Sequence, residues 1–268
     1  MRTRAVTALA TCTLALTALA APAAQAAPGA APAAPAAPAD PKIISVSANG
    51  GKDLVLGLGP KSFDVTITAS DESGIAQGAA LAYWGASLDN AYRQLLPDDF
   101  SSGCREIDAT TSACTTRNVA DPDHYHPRKD VTNELAGPWK LAGQVLGRDG
   151  SVTLGEQGTL HIKRAAKLTA DASPEPVRRG ADLTVTGALT RADWDRNRYG
   201  GFTSNAVKLQ FKKDGATAWT TVRTVRADAR GTLRTTVKAT ADGTYRYQYG
   251  GSRTTGPAAS GGDRVDVR

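Results

Sequence analysis

From Asp40 onward, apolar and polar residues alternate in short runs that turn residues interrupt about every ten positions, a pattern of half-buried strands. Residues 62–69 show it most clearly: Phe63, Val65, Ile67 and Ala69 fall on one side, Asp64, Thr66 and Thr68 on the other. In the first half, further strands are read at 42–47, 76–84, 139–146 and 158–163. The second half reads as seven strands, at 168–172, 181–190, 206–213, 219–227, 231–239, 244–249 and 263–267. No segment carries a long apolar stripe of helical period. Residues 89–138 are polar and rich in Asp and Pro, and read as a long insertion with at most a hairpin around its cysteines. The expected architecture is therefore all-β: two tandem sandwiches, 41–164 and 165–268, joined with almost no linker near 164–166.

The N-terminal residues follow a different rule. Arg2 and Arg4 precede an uncharged run at 5–20, and Ala24, Gln25 and Ala26 follow it; this is the layout of a secretory signal peptide cut after Ala26. The run is short of the roughly 20 residues of a membrane-spanning helix. The mature chain is thus expected to be secreted and extracellular, without a membrane span. Residues 27–40 are mostly Ala and Pro, a spacer reaching ~40 Å at roughly 3.1 Å per residue. Two cysteines survive processing, Cys104 and Cys114, and in an oxidising compartment an even pair reads as a disulfide.

Asp242, Gly243, Thr244, Tyr245, Arg246 and Tyr247 resemble the tyrosine-corner signature of immunoglobulin-like sandwiches, with Tyr245 as the corner and Tyr247 where antibody domains carry cysteine. Residues 65–75 and 136–140 resemble bacterial immunoglobulin-like or cadherin-like modules. More broadly, Asn49–Asp53, Ala172–Val177 and Val207–Phe211 resemble a family of secreted actinobacterial proteins with two immunoglobulin-like domains. Members are sometimes labelled calcium-binding, so the resemblance implies a binding or structural module with calcium as an optional ligand.

Charge divides unevenly. Residues 27–164 hold 12 Lys and Arg against 16 Asp and Glu, whereas 165–268 hold 18 against 10. If the strands at 206–213, 219–227 and 244–249 share a sheet, Lys208, Lys212, Arg223 and Arg246 share its solvent face. Such a face attracts wall polymers or acidic polysaccharide, with nucleic acid ranked behind them; the plain alternative is the wet side of an antiparallel sheet. Tyr245, Tyr247 and Tyr249 then point inward, with Trp219 as packing partner. Trp194, Tyr199 and Phe202 lie in a polar stretch and read either as a recognition loop or as anchors for it.

Metal chemistry has two candidate sets. Asp193, Asp195 and Asn197 have the 1, 3, 5 spacing of a calcium loop, although Arg198 and Ser204 stand where Gly and Glu belong. His124 and His126, with Asp121 and Asp123, could meet a transition metal, although their spacing matches no zinc motif. There is no Gly-x-Ser-x-Gly elbow, no paired zincin histidines and no phosphate-cradling loop. A non-catalytic binding or structural module at the cell surface that requires no cofactor is expected, with a calcium-stabilised adhesion module as its variant, against the alternative of a weak extracellular hydrolase using carboxylates of 89–138. The sequence leaves the oligomeric state open.

Overall fold

The computed structural model describes residues 39–97, 103–122 and 130–268; the expected signal peptide, most of the expected spacer, Asp123, His124 and His126 lie outside them. Nine strands build the first sandwich: β1 (Lys42–Ala48), β2 (Leu54–Leu56), β3 (Lys61–Ser70), β4 (Ile75–Gly85), β5 (Ala91–Leu95), β6 (Gly103–Glu106), β7 (Thr111–Ala120), β8 (Gly137–Gly147) and β9 (Val152–Arg164). They form two sheets, β1-β3-β7-β6 and β2-β9-β8-β4-β5, with β2 parallel to β9. This is the order of an immunoglobulin-like sandwich. Val65 and Ile67 of β3 pack with Trp139 and Leu141 of β8 and Leu160 and Ile162 of β9.

The segment 89–138 is not an insertion. It supplies β5, β6 and β7, and β7 is a ten-residue strand paired with β3 along its whole length. Its inward positions are Ser112, Cys114, Thr116, Asn118 and Ala120, so the hydrophobic alternation that marks β3 is missing. Hydrogen bonds replace it: the Thr116 hydroxyl donates to the Ala80 carbonyl at 2.8 Å and the Asn118 amide to the Leu95 carbonyl at 2.9 Å. Buried polar groups satisfied in this way tie β7 to the opposite sheet. Cys104 and Cys114 stand opposite each other on β6 and β7 and form the disulfide.

The second sandwich is built from β10 (Ala166–Leu168), β11 (Asp171–Ser173), β12 (Asp182–Asp193), β13 (Arg198–Gly201), β14 (Ala206–Lys213), β15 (Thr220–Arg226), β16 (Thr232–Lys238), β17 (Gly243–Tyr249), β18 (Ala258–Ala259) and β19 (Asp263–Val265). β12 pairs with β10, β11, β13 and β16; β14 lies between β15 and β17, and β17 also carries β18 and β19. Tyr245, Tyr247 and Tyr249 are buried, packed with Leu183, Val185 and Leu209. The Tyr247 hydroxyl donates to the Val185 carbonyl across the sandwich at 2.9 Å, and burial pushes its pKa up to about 12. Tyr245 makes no such bond, so the residue in the cysteine position, not the expected corner tyrosine, links the sheets through a hydroxyl.

The two cores are physically stitched. β9 ends at Arg164 and β10 begins at Ala166. The intervening backbone is bonded on both sides, with Ala165 N–H donating to Leu56 and Ala192 N–H donating to Ala165. Arg164 is buried, and its Nε donates to the Ala192 carbonyl at 2.6 Å. Burial, reinforced by the nearby Arg191, draws its pKa down to about 10 against the opposing pull of Asp193 and Asp195; the guanidinium therefore stays charged at neutral pH. Trp194, which follows β12, is fully buried in the core of the first sandwich, and its indole N–H donates to the Gly57 carbonyl at 2.8 Å.

Candidate functional site

The outer face of β15, β14 and β17 carries an ordered array of polar side chains around the buried Gln210. Antiparallel pairing places opposed residues on the same face, and the registers Lys208↔Gln248, Gln210↔Arg246 and Lys212↔Thr244 align these side chains in rows. The Arg246 Nε donates to the Gln210 side-chain oxygen at 2.9 Å, and the Gln210 amide donates to that of Gln248 at 2.9 Å. Trp219 sits at the end of this ladder, with the Arg246 guanidinium 3.9 Å and the Lys212 ammonium 5.2 Å from its ring centroid. Each such contact contributes about 0.5–1 kcal/mol at a surface, enough to hold the ring and the guanidinium in register. None of the three strands contains an acidic residue. Asp214, at the turn after β14, is held by two bonds from Arg264.

Two expectations about this face are corrected. Arg223 does not lie on it: Arg223 opposes Leu209, an inward residue, and its guanidinium donates to the Thr235 hydroxyl of β16, in the opposite sheet, at 3.4 Å. A register shift between Leu209 and Gln210 inserts Val222 as an unopposed residue, and one extra residue reverses which side chains face out. Arg226, opposite Ala206, is on the outer side instead. Trp219 is not a packing partner of the inward tyrosines but lies on the opposite side of the sheet, among the cations.

The stretch around Trp194 is an anchor, not a recognition loop. The Asn133 amide donates to Asp193 at 2.7 Å, its backbone N–H donates to Asp195, and its side-chain oxygen accepts from the Trp194 N–H at 2.9 Å. Arg196 also pairs with Asp193 at 3.0 Å. Burial opposes ionisation of Asp193, but the bonds from Asn133 and Arg196 outweigh it and hold the carboxyl at about 2. Thus Asp193 and Asp195, two of the three calcium-loop residues, receive donors from within the chain; Asn197 turns the hairpin with a positive φ of 45°. Tyr199 packs on the first core under Lys167, and Phe202 on the second under Arg191. Asp121 is buried, and its carbonyl accepts from Asp130. Among the described residues no group of three or more His, Cys, Asp or Glu side chains converges. Of the carboxylates in 89–138, Glu106 is paired with Arg148, and Asp108 caps its own turn by accepting from Thr110 and Thr111.

No family model and no curated protein matches the chain. Solved structures to which it is similar include the fibronectin(III)-like modules of Clostridium thermocellum CbhA, at 14% identity over 83% of this chain and 92% of that chain with a TM-score of 0.32. A marsupial T cell receptor matches at 15% identity over 84% of this chain and 72% of that chain, TM-score 0.38. Latent PorU from Porphyromonas gingivalis matches at 13% identity over 90% of this chain, TM-score 0.29, and there the chain spans only 21% of the other protein.

Proposed function

We propose that the protein is an extracellular, non-catalytic binding module that holds an acidic polymer, such as a wall polymer or acidic polysaccharide, on the outer face of the second sandwich. The observation that carries this reading is the acid-free sheet face that bears Lys208, Lys212 and Arg246, the last two lying against the ring of Trp219. Lysines supply unspecific attraction to a polyanion, while the Arg246 fork, fixed by Gln210, offers oriented donors to carboxylate, sulfate or phosphate groups. Attraction of this kind weakens with salt. On a heparin column, the triple variant Lys208→Ala, Lys212→Ala, Arg246→Ala is expected to elute at markedly lower salt. Its log–log salt dependence should be shallower by about 2 to 3, close to one per lost contact. Equal retention of variant and parent would remove this face from consideration.

A second reading, a calcium-stabilised adhesion module, is favoured by Asp71. One of its carboxylate oxygens accepts from Ser73, while the other is buried without a partner, which is costly for a charged group. Asp149 flanks the same spot: a Cβ on Gly147 would lie 3.2 Å from the Asp71 carboxyl carbon and 2.8 Å from an Asp149 oxygen. Calcium accepts backbone and hydroxyl oxygens beside carboxylates, and extracellular modules bind it with Kd of about 10⁻⁴–10⁻³ M. At 1 mM calcium and the tighter limit, the gain is about 1.4 kcal/mol, or a Tm rise of about 3–6 °C over the protein in chelator. The rise should vanish in Asp71→Asn; an unchanged parent melting curve discards calcium at this pole.

A further inference from the structure

Between the sandwiches runs a groove of about 490 Å³, lined by the end of β4, the start of β8 and the loop that joins β17 to β18. Its volume falls within the range of small-molecule sites, which favour domain interfaces. Trp84 and Pro138 form apolar wall, with Trp84 half-buried and seated edge-on against Trp139 at 5.8 Å. Lys140 from the first sandwich and Arg253 from the second bring positive charge to the same space. The Lys140 ammonium donates to the Ala86 carbonyl at 2.5 Å and keeps two further donors. Arg253 is exposed and forms no ion pair among the described residues. The nearby acid, Glu156, accepts from the Tyr83 hydroxyl and the Leu88 N–H, which holds its carboxyl below the usual range and partly offsets Lys140.

The groove is preorganised. The loop carrying Arg253 is pinned to the end of β9 by Arg164 N–H donating to Thr254 and Gly256 N–H donating to Arg164. Holding the two walls in place before binding lowers the ordering cost that a ligand must overcome. We infer that this groove binds a carboxylate-bearing saccharide of one or two residues: the apolar face of a sugar ring lies against Trp84 and Pro138, and its carboxylate meets the Arg253 fork and Lys140. The inference stands on the groove alone and does not require the basic sheet face.

Calorimetric titration of the mature protein with digalacturonate tests it, with the dimethyl ester as the neutral control. Saturable binding of the acid, none of the ester, and a loss of about tenfold or more in Arg253→Ala are expected. Arg253 is exposed, so the variant should fold, and an unchanged melting temperature checks this. Absence of binding by the parent, or binding that Arg253→Ala does not weaken, overturns the inference. Weakening by Arg246→Ala instead would place the sugar on the sheet face, sinking the groove while sparing the polymer reading; equal heparin retention with an Arg253-dependent digalacturonate affinity would do the reverse.

Discussion

Trp194→Ala should lower the stability of the first sandwich, although the residue belongs by sequence to the second. Its indole is fully buried among first-sandwich residues, and truncating a buried Trp costs about 3–5 kcal/mol through lost contacts and the remaining cavity. The Gly57 carbonyl also loses its indole donor, worth about 1 kcal/mol. For a folded chain of this size, roughly 2–4 °C accompany each kcal/mol, so a Tm decrease of about 8–24 °C is expected. Hydrogen exchange locates the damage: amides of Leu54, Val55 and Leu56 in β2 should lose protection, because Ala165 N–H and the Trp194 hairpin brace the segment leading to Gly57. A Tm change below about 2 °C, or exchange confined to β12 and β13, would show that Trp194 is not seated in the first core.

The same residue shows what a one-dimensional reading misses. Trp194 is flanked by Asp193, Asp195, Arg196 and Arg198, so the sequence offers an anchor or a recognition loop and does not say which core an anchor would enter. The acids are in fact oriented toward Asn133 and Arg196, leaving the indole free to cross into the neighbouring core. Strand β3 was legible because its buried side is apolar, from Phe63 to Ala69. Strand β7 was not, because Ser112, Thr116 and Asn118 occupy its buried side and meet hydrogen-bond partners contributed by distant strands. Arg223 failed for a third reason: alternation counts residues but not bulges, and the unopposed Val222 shifts it off the cationic face. Lys208, Lys212 and Arg246 lie on the straight part of the sheet, where counting by two suffices. The ring of Trp219 beside Arg246 depends on a turn conformation that no periodicity encodes.

Opening the Cys104–Cys114 disulfide should cost about 2.7 kcal/mol on loop-entropy grounds, since the bond closes a loop with a sequence separation of 10. The bond clips β6, an edge strand of four residues, to the long strand β7, so the loss belongs to the first sandwich. Two routes separate the cross-link from the packing. Reduction keeps both sulfur atoms, whereas Cys104→Ala, Cys114→Ala removes them and leaves space beside Gly78, whose absent side chain makes room for the Cys114 sulfur: a Cβ there would lie 3.0 Å from it. Cys114 is buried, so the double variant should lose roughly 1 kcal/mol more than reduction, the scale of one buried heavy group. Urea unfolding followed by tryptophan fluorescence reads both, with thiol titration confirming that the bond has opened. If titration finds two free thiols and the urea midpoint has not moved, the bond constrains nothing that the β6–β7 ladder does not already hold. If reduction and the double alanine variant instead cost the same, the sulfurs contribute only as a link and Gly78 has no packing reason to lack a side chain.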